Sequence, residues 1–585
     1  MTEPIRPARS RTATTERKRS RSRSSRPSSP HLQRFFSAQH LDDHGYYHHE
    51  HAAGESEAEL DHYSSDTLET LDSSENDNEK EEEQQGSVPE VRDGIPDERD
   101  AELGRPQLEK KQTTRSVRDP NLVSWDFDDD PENPKNWTNK RKWAATLVVS
   151  FFTFISPVSS SMVAPALGAI SAEFGITNQT EEALVLSIFV LAYAIGPLIL
   201  GPLSEVYGRV PVLQLSNLFY LVWNIGCGFA QTKSQMLAFR FFSGLGGSAP
   251  LALGGGILSD CWKAEERGKS ISIYSLAPLL GPAIGPIAGG FITQNTTWRW
   301  AFYATSIADG LIQLSGLFFL QETYAPTLLK RKAAKLRKET GNMALHTEYE
   351  SPDKTLSNIL KTSLIRPFVL LGTQPIVQVL AIYMAYLYGL MYLVLSTFPR
   401  LWTDTYHESI GIGGLNYISL GLGFFLGTQI CAPINDKIYR KLKKRNNNIG
   451  RPEFRVPLMV PGSFLVPVGL FWYGWSAQAQ THWIIPNIGA CIFAAGVIVG
   501  FQCIQTYIID SYSKYAASAV GAATVLRSLA GFGFPLFAGS MYSALGNGWG
   551  NSLLAFIAIG LGLPAPFLLW KYGATLRERS KFAAG

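Results

Sequence analysis

From Ser270 to Thr297 the chain carries no charged residue, yet its centre reads Gly281-Pro282-Ala283-Ile284-Gly285-Pro286-Ile287-Ala288-Gly289-Gly290. In a water-soluble fold so many helix breakers would mark a loop. A charge-free run longer than the roughly 20 residues that cross a bilayer instead reads as a transmembrane helix. Pro282 and Pro286 each remove a backbone donor and clash with the preceding turn, so the helix bends. Gly281, Gly285 and Gly289 recur every four residues and form a smooth stripe on which a neighbouring helix can lie close.

Similar apolar runs fill the chain after Trp143. Twelve spans are expected, at about 143–168, 183–203, 211–231, 235–259, 269–292, 299–321, 371–395, 410–434, 456–476, 483–509, 516–541 and 550–571. The basic cluster Lys140-Arg141-Lys142 precedes the first span and should hold that end in the cytoplasm. Arg209, Lys263/Arg267/Lys269, the loop with Lys330-Arg331-Lys332, and Lys437 to Arg455 then fall on the same side, as the positive-inside bias requires. The expected fold class is therefore an all-α membrane protein of six plus six helices. Its segments are a cytoplasmic tail at 1–118, a pre-membrane segment at 119–142, a first bundle at 143–322, a cytoplasmic central loop at 323–370, a second bundle at 371–571 and a cytoplasmic end at 572–585.

The tail differs from the rest in kind. Residues 1–34 contain the Arg/Ser run Arg17 to Arg23, and residues 42–104 hold 22 Asp and Glu against 3 Lys and Arg. Such segments bury too little apolar surface to offset ordering entropy, so the tail is expected to be disordered and dispensable for whatever the membrane helices do. An Arg/Ser run can bind RNA, but no RNA-binding domain accompanies it, and nucleic acid is not expected as a partner. Cys227, Cys261, Cys431, Cys491 and Cys503 sit in or beside apolar runs without a C-x-x-C pair, which suggests neither disulfides nor a metal site. No cofactor and no catalytic set is expected, and Asn178 and Asn295 open sequons on the outer side.

Four polar features interrupt the apolar runs. Gly201-Pro202-Leu203-Ser204-Glu205-Val206-Tyr207-Gly208-Arg209 is a tight turn whose Glu205 and Arg209 could latch helices in one state. Arg240 lies inside the fourth span, Asp309 inside the sixth and Arg527 inside the eleventh. A charge in a membrane helix is costly and marks a functional site by default. Desolvation disfavours the charged form of a carboxyl, which makes Asp309 a candidate proton carrier, although a structural ion pair would also account for it.

The glycine string resembles the fifth-helix antiporter motif of proton-coupled exporters in the major facilitator superfamily. The Gly201 to Arg209 loop resembles the superfamily's G-x-L-a-D-r-x-G-r signature, with Glu205 replacing the usual aspartate. Arg240-Phe241-Phe242-Ser243-Gly244-Leu245-Gly246-Gly247 resembles R-x-x-x-G-x-x-G, whose arginine the family associates with proton coupling. With Asn133-Pro134-Lys135-Asn136-Trp137, Trp298-Arg299-Trp300 and Glu322-Thr323-Tyr324, the chain from about 130 to 575 resembles fungal members of the 12-spanner drug:proton antiporter family.

That resemblance implies a monomeric, multi-pass plasma-membrane or vacuolar protein, not an enzyme. It would export drugs, toxins or polyamines against protons by rocking two halves around a midplane site. Gln374, Gln378, Tyr383, Tyr386, Tyr392, Gln502, Gln505 and Tyr507 are expected to line the cavity, where aromatic walls attract apolar or cationic compounds. Nutrient uptake by the same fold, or a receptor signalling through its tail, are the alternatives.

Overall fold

A computed structural model of the chain describes residues 119–583, apart from 128, 264–265 and 351–355. The expected disordered tail lies outside these residues.

All twelve spans are helical. The first six are Asn139–Ser161, Gln179–Tyr207, Arg209–Gly228, the pair Lys233–Gly247 and Ala249–Cys261, Arg267–Asn295, and Arg299–Phe319. The seventh to tenth are Pro375–Arg400, Tyr417–Arg445, Met459–Gln478 and Ile484–Ser511. The eleventh and twelfth share one unbroken assignment, Ala516–Gly562, divided at Gly546, where φ of 71° and ψ of 176° turn the chain. Pro564–Glu578 extends the last span.

Local chemistry sets several boundaries. The first span stops at Ser161, short of its expected end, where the turn Ala164–Ala166 carries Pro165 near its start. The Asn178 carboxamide oxygen accepts from Thr180 N at 2.8 Å and Thr232 Oγ1 from Gln235 N at 3.3 Å, capping the second and fourth spans. Gly208, at φ of 104°, ends the second span, and a side chain there would meet the Glu322 carboxylate.

Each bundle ties its own end on the central-loop side. In the first, Arg209 Nε is 3.5 Å from Asp260 Oδ2, its guanidinium lies 4.7 Å from the Tyr324 ring, and Glu322 accepts from Arg209 N at 3.0 Å. In the second, Arg455 bonds Asp436 at 2.7 Å and Asp510 at 3.0 Å, and Arg577 bonds Glu453 at 3.0 Å. Asp260 ends the fourth span and Asp510 the tenth, six spans later, as an internal repeat requires.

The pre-membrane segment clasps the central loop. Leu122–Val123 pairs in parallel with His346–Thr347, and Lys332, on the helix Ala325–Thr340, lies 2.7 Å from Asp126 and 3.5 Å from Asp130. The buried Asp130 carboxylate also accepts from Asp126 N at 3.0 Å and Glu132 N at 2.8 Å. Burial opposes its charged form, but those two amides and the Lys332 ammonium outweigh burial and hold its pKa below the ordinary aspartate value. A lowered folded-state pKa gives stability that is complete above the ordinary carboxylate range and lost only as pH falls through the lower value. Asp130→Asn should therefore speed hydrogen exchange in Ala325–Thr340 about tenfold near neutral pH, the order expected from losing one charged hydrogen bond. Wild-type exchange there should stay slow at pH 5, and equal rates in both proteins at neutral pH would refute the clasp.

Candidate functional site

The fifth-span glycines serve two contacts. A side chain at Gly281 would meet Pro157 Cβ at 2.6 Å, one at Gly285 would meet Val158 O at 2.7 Å, and one at Gly289 would run into Met162 O. That stripe seats the fifth span on the C-terminal end of the first. On another face, a side chain at Gly290 would meet Ile410 O at 2.8 Å, and one at Gly414 would meet Pro286 O at 3.1 Å. The string thus joins the two halves as well as two helices of one half.

Polar contacts between the halves gather on the side opposite the central loop. Glu182 pairs with Arg400, Thr180 Oγ1 donates to Leu536 O at 3.1 Å, and Gly411 N donates to Gln294 Oε1 at 2.7 Å. Deeper in, Ser160 Oγ lies 3.3 Å from Tyr392 Oη, linking the first span to the seventh. A cavity of about 640 Å³ lies among Glu182, Arg400, Asp404 and Tyr417 at this closed end.

Arg240 is wholly buried and does not snorkel. Its guanidinium donates to the carbonyls of Val185 and Ser159 at 3.1 Å and of Ser160 at 3.2 Å, with the Phe189 ring centroid at 4.6 Å. The first span ends at Ser161, so the carbonyls of its last turn, Ser159 and Ser160 among them, have no helical donor and are open to this use. Arg240 therefore cross-links the first, second and fourth spans through backbone dipoles rather than through a carboxylate.

Asp309 is also buried, but it sits between the third and sixth spans. Its two oxygens lie 3.0 and 3.1 Å from Asn217 Nδ2, which is also 2.9 Å from Gln313 Oε1. One helical stretch away, Asn224 Nδ2 donates to Ser306 Oγ at 2.8 Å and Thr305 Oγ1 at 3.0 Å, while Ser159 Oγ donates to Asn224 Oδ1 at 3.1 Å. Since Ser159 O also accepts from Arg240, hydrogen-bonding groups run from Arg240 along this seam toward Asp309. Among the described residues no cation lies within bonding distance of Asp309, so the ion-pair account of it has no partner.

These features follow the six-plus-six pattern, and a sequence profile described as "Major Facilitator Superfamily" matches residues 149–535. The chain belongs to the Major Facilitator Superfamily. It is 55% identical over 468 residues to "Efflux pump vrtL" of Penicillium aethiopicum, covering 80% of this chain and 92% of that one. It is 42% identical to "Efflux pump radE" of Floropilus chiversii, covering 80% of this chain and 86% of that one. Among solved structures, the partially occluded inward-open xylose transporter XylE of E. coli matches with a TM-score of 0.56 at 16% identity, covering 74% of this chain and 98% of that one. That likeness shows the fold. The protein is thus a multi-pass membrane transporter of small molecules, of fungal efflux-pump type by its relatives.

Within this superfamily fold the remaining expected residues scatter. Arg209 is bonded to Asp260, and Glu205, exposed in the last turn of the second span, adds its negative charge near Arg209. Of the eight expected cavity residues, Tyr392 reaches the other half. Tyr383 Oη lies 3.0 Å from Ser463 Oγ, Tyr386 Oη donates to Leu554 O, and Tyr507 Oη donates to Glu453, all inside the second bundle. Gln374 and Gln378 bond around the start of the seventh span, with Gln378 Nε2 on Gly372 O at 3.1 Å, and on the tenth span Gln502 is half-buried and Gln505 exposed.

Sequence reasoning missed several residues that gather with the expected Arg527 and Tyr392 where the halves meet. Tyr193, 2.5 Å from Ser156, comes from the second span, and Tyr388 lies 5.0 Å from Tyr392 and 5.8 Å from Phe501, ring to ring. Arg527 lies 5.1 Å from the Tyr388 ring centroid and 5.8 Å from that of Phe501. Helical phase was the available signal: Tyr388 and Tyr392 are four apart, and so are Arg527 and Gly531, where a side chain would meet the Tyr388 ring at 2.8 Å. Asn178 and Asn295 both lie opposite the central loop, where the Asn295 amide donates to Phe291 O at 2.8 Å.

Proposed function

We propose that the protein is a proton-coupled exporter of small amphipathic molecules, working by alternating access, with the central loop and both chain ends in the cytoplasm and the plasma membrane as its site. The observation that carries this reading is the fifth-span glycine string. It is seated between the first span of one half and the eighth-span entry of the other, where a change of state must slide helices past one another. Relatives named as efflux pumps support the outward direction. Asp309 is the proton carrier in this scheme, and the Arg240 seam connects it to the space between the halves.

Vesicles with the central-loop face inside, loaded with naphthyl probes, test the coupling. Acidifying the outside should speed release several-fold, and a protonophore should remove that acceleration. Probe moving into the vesicles along with protons would instead establish uptake.

A further inference from the structure

The space between the halves is electrically one-sided. Between its two ends the membrane region of the described residues carries Arg240, Arg527 and Asp309. The other carboxylates stand near the membrane faces, Glu182 and Asp404 among those on one side and Asp260, Glu453 and Asp510 among those on the central-loop side. Asp309 is turned into the seam between the third and sixth spans, and carbonyls occupy Arg240. Arg527 differs from both. Its Nε is buried with no hydrogen-bond partner, and among the described residues no carboxylate lies within bonding distance of its guanidinium. Its neighbours are the rings of Tyr388 and Phe501, with Tyr392 beside Tyr388.

A half-buried cation over two ring faces, with no carboxylate in reach among the described residues, has donors to spare, and its planar fork matches a carboxylate. The rings around it offer stacking surfaces to a flat apolar body. We infer that Arg527 is the counter-charge for an anionic substrate, and that the central site takes ring-bearing organic acids in their carboxylate form. This rests on the export reading for its biological sense but not for its binding chemistry. It assigns Arg527 to substrate recognition rather than to coupling, and it sets aside polyamines, which two central arginines would repel.

Three probes sharing one ring system decide the matter on the purified full-length protein: 2-naphthoate, methyl 2-naphthoate and 2-naphthylmethylammonium. Equilibrium binding should favour the carboxylate at least tenfold over both others. Arg527→Gln should bring carboxylate affinity down to that of the ester, and Arg527→Lys should retain part of the preference because the charge stays while the fork is lost. Equal or tighter binding of ester or ammonium to the wild type, no carboxylate binding at all, or a preference surviving in Arg527→Gln would overturn the assignment. The wild-type comparison stands even where a variant fails to fold. Carboxylate preference without protein-dependent release from loaded vesicles would sink the export reading and leave the anion site. Release of ester or ammonium in preference to carboxylate would do the reverse.

Discussion

Gly285→Leu should stop transport in a protein that still inserts. The missing side chain at 285 is what lets Val158 O, Ser161 Oγ and Met162 N approach, and a Cβ there would run into Ser161 Oγ and lie 2.7 Å from Val158 O. The serine can rotate away, but the carbonyl is backbone in the last turn of the first span. Leucine must therefore push the fifth span outward, and overpacking of this kind costs about 1–3 kcal/mol or more. The same shift moves Gly290 off Ile410 and Gly414, so closure between the halves fails with the helix pair. A transport rate lower by about a hundredfold corresponds to roughly 3 kcal/mol, near the top of that range. Gly255→Leu is the matched control, because no atom lies within 4 Å of a side chain there. Efflux at the normal rate from inserted Gly285→Leu would dismiss the stripe as incidental packing.

Asp309→Asn should separate exchange from coupling. An amide at 309 keeps an oxygen to accept from Asn217 and resembles the protonated carboxyl, so the local fold survives. Were Asp309 half of an ion pair, the change would strand a buried cation and destabilise the bundle. Its bonding partner is the neutral Asn217, so little loss of stability is expected. Substrate exchange without a gradient should continue, while gradient-driven flux should fall to the gradient-free level. Both fluxes are measured on one preparation, and gradient-driven flux at the wild-type level would remove Asp309 from the proton path.

The glycine string shows how far a one-dimensional pattern reaches. Its spacing already implied a stripe for a close helix partner, because i and i+4 positions share a face whatever lies opposite. Which partner it meets, and that Gly290 on a second face serves the other half, depended on tertiary packing. Arg240 was legible as a costly intramembrane charge, but its satisfaction by carbonyls of two other helices was not, since backbone acceptors carry no residue signature. Residue type alone also failed for the aromatic side chains. Tyr383, Tyr386 and Tyr507 share the composition of Tyr388 and Tyr392, yet they turn into their own bundle.

By itself, the sequence determined the membrane class, the helix count and the charged positions, because hydrocarbon admits only long apolar helices and penalises every charge within them. The tertiary structure alone decided which charges were answered. Carbonyls in the last turn of the first span and on the second satisfy Arg240 and an amide on the third span faces Asp309, while Arg527 stands over the rings of Tyr388 and Phe501 with no carboxylate in reach among the described residues. Those partners lie tens to hundreds of residues away, and only the packing of the bundles brings them together or leaves them out.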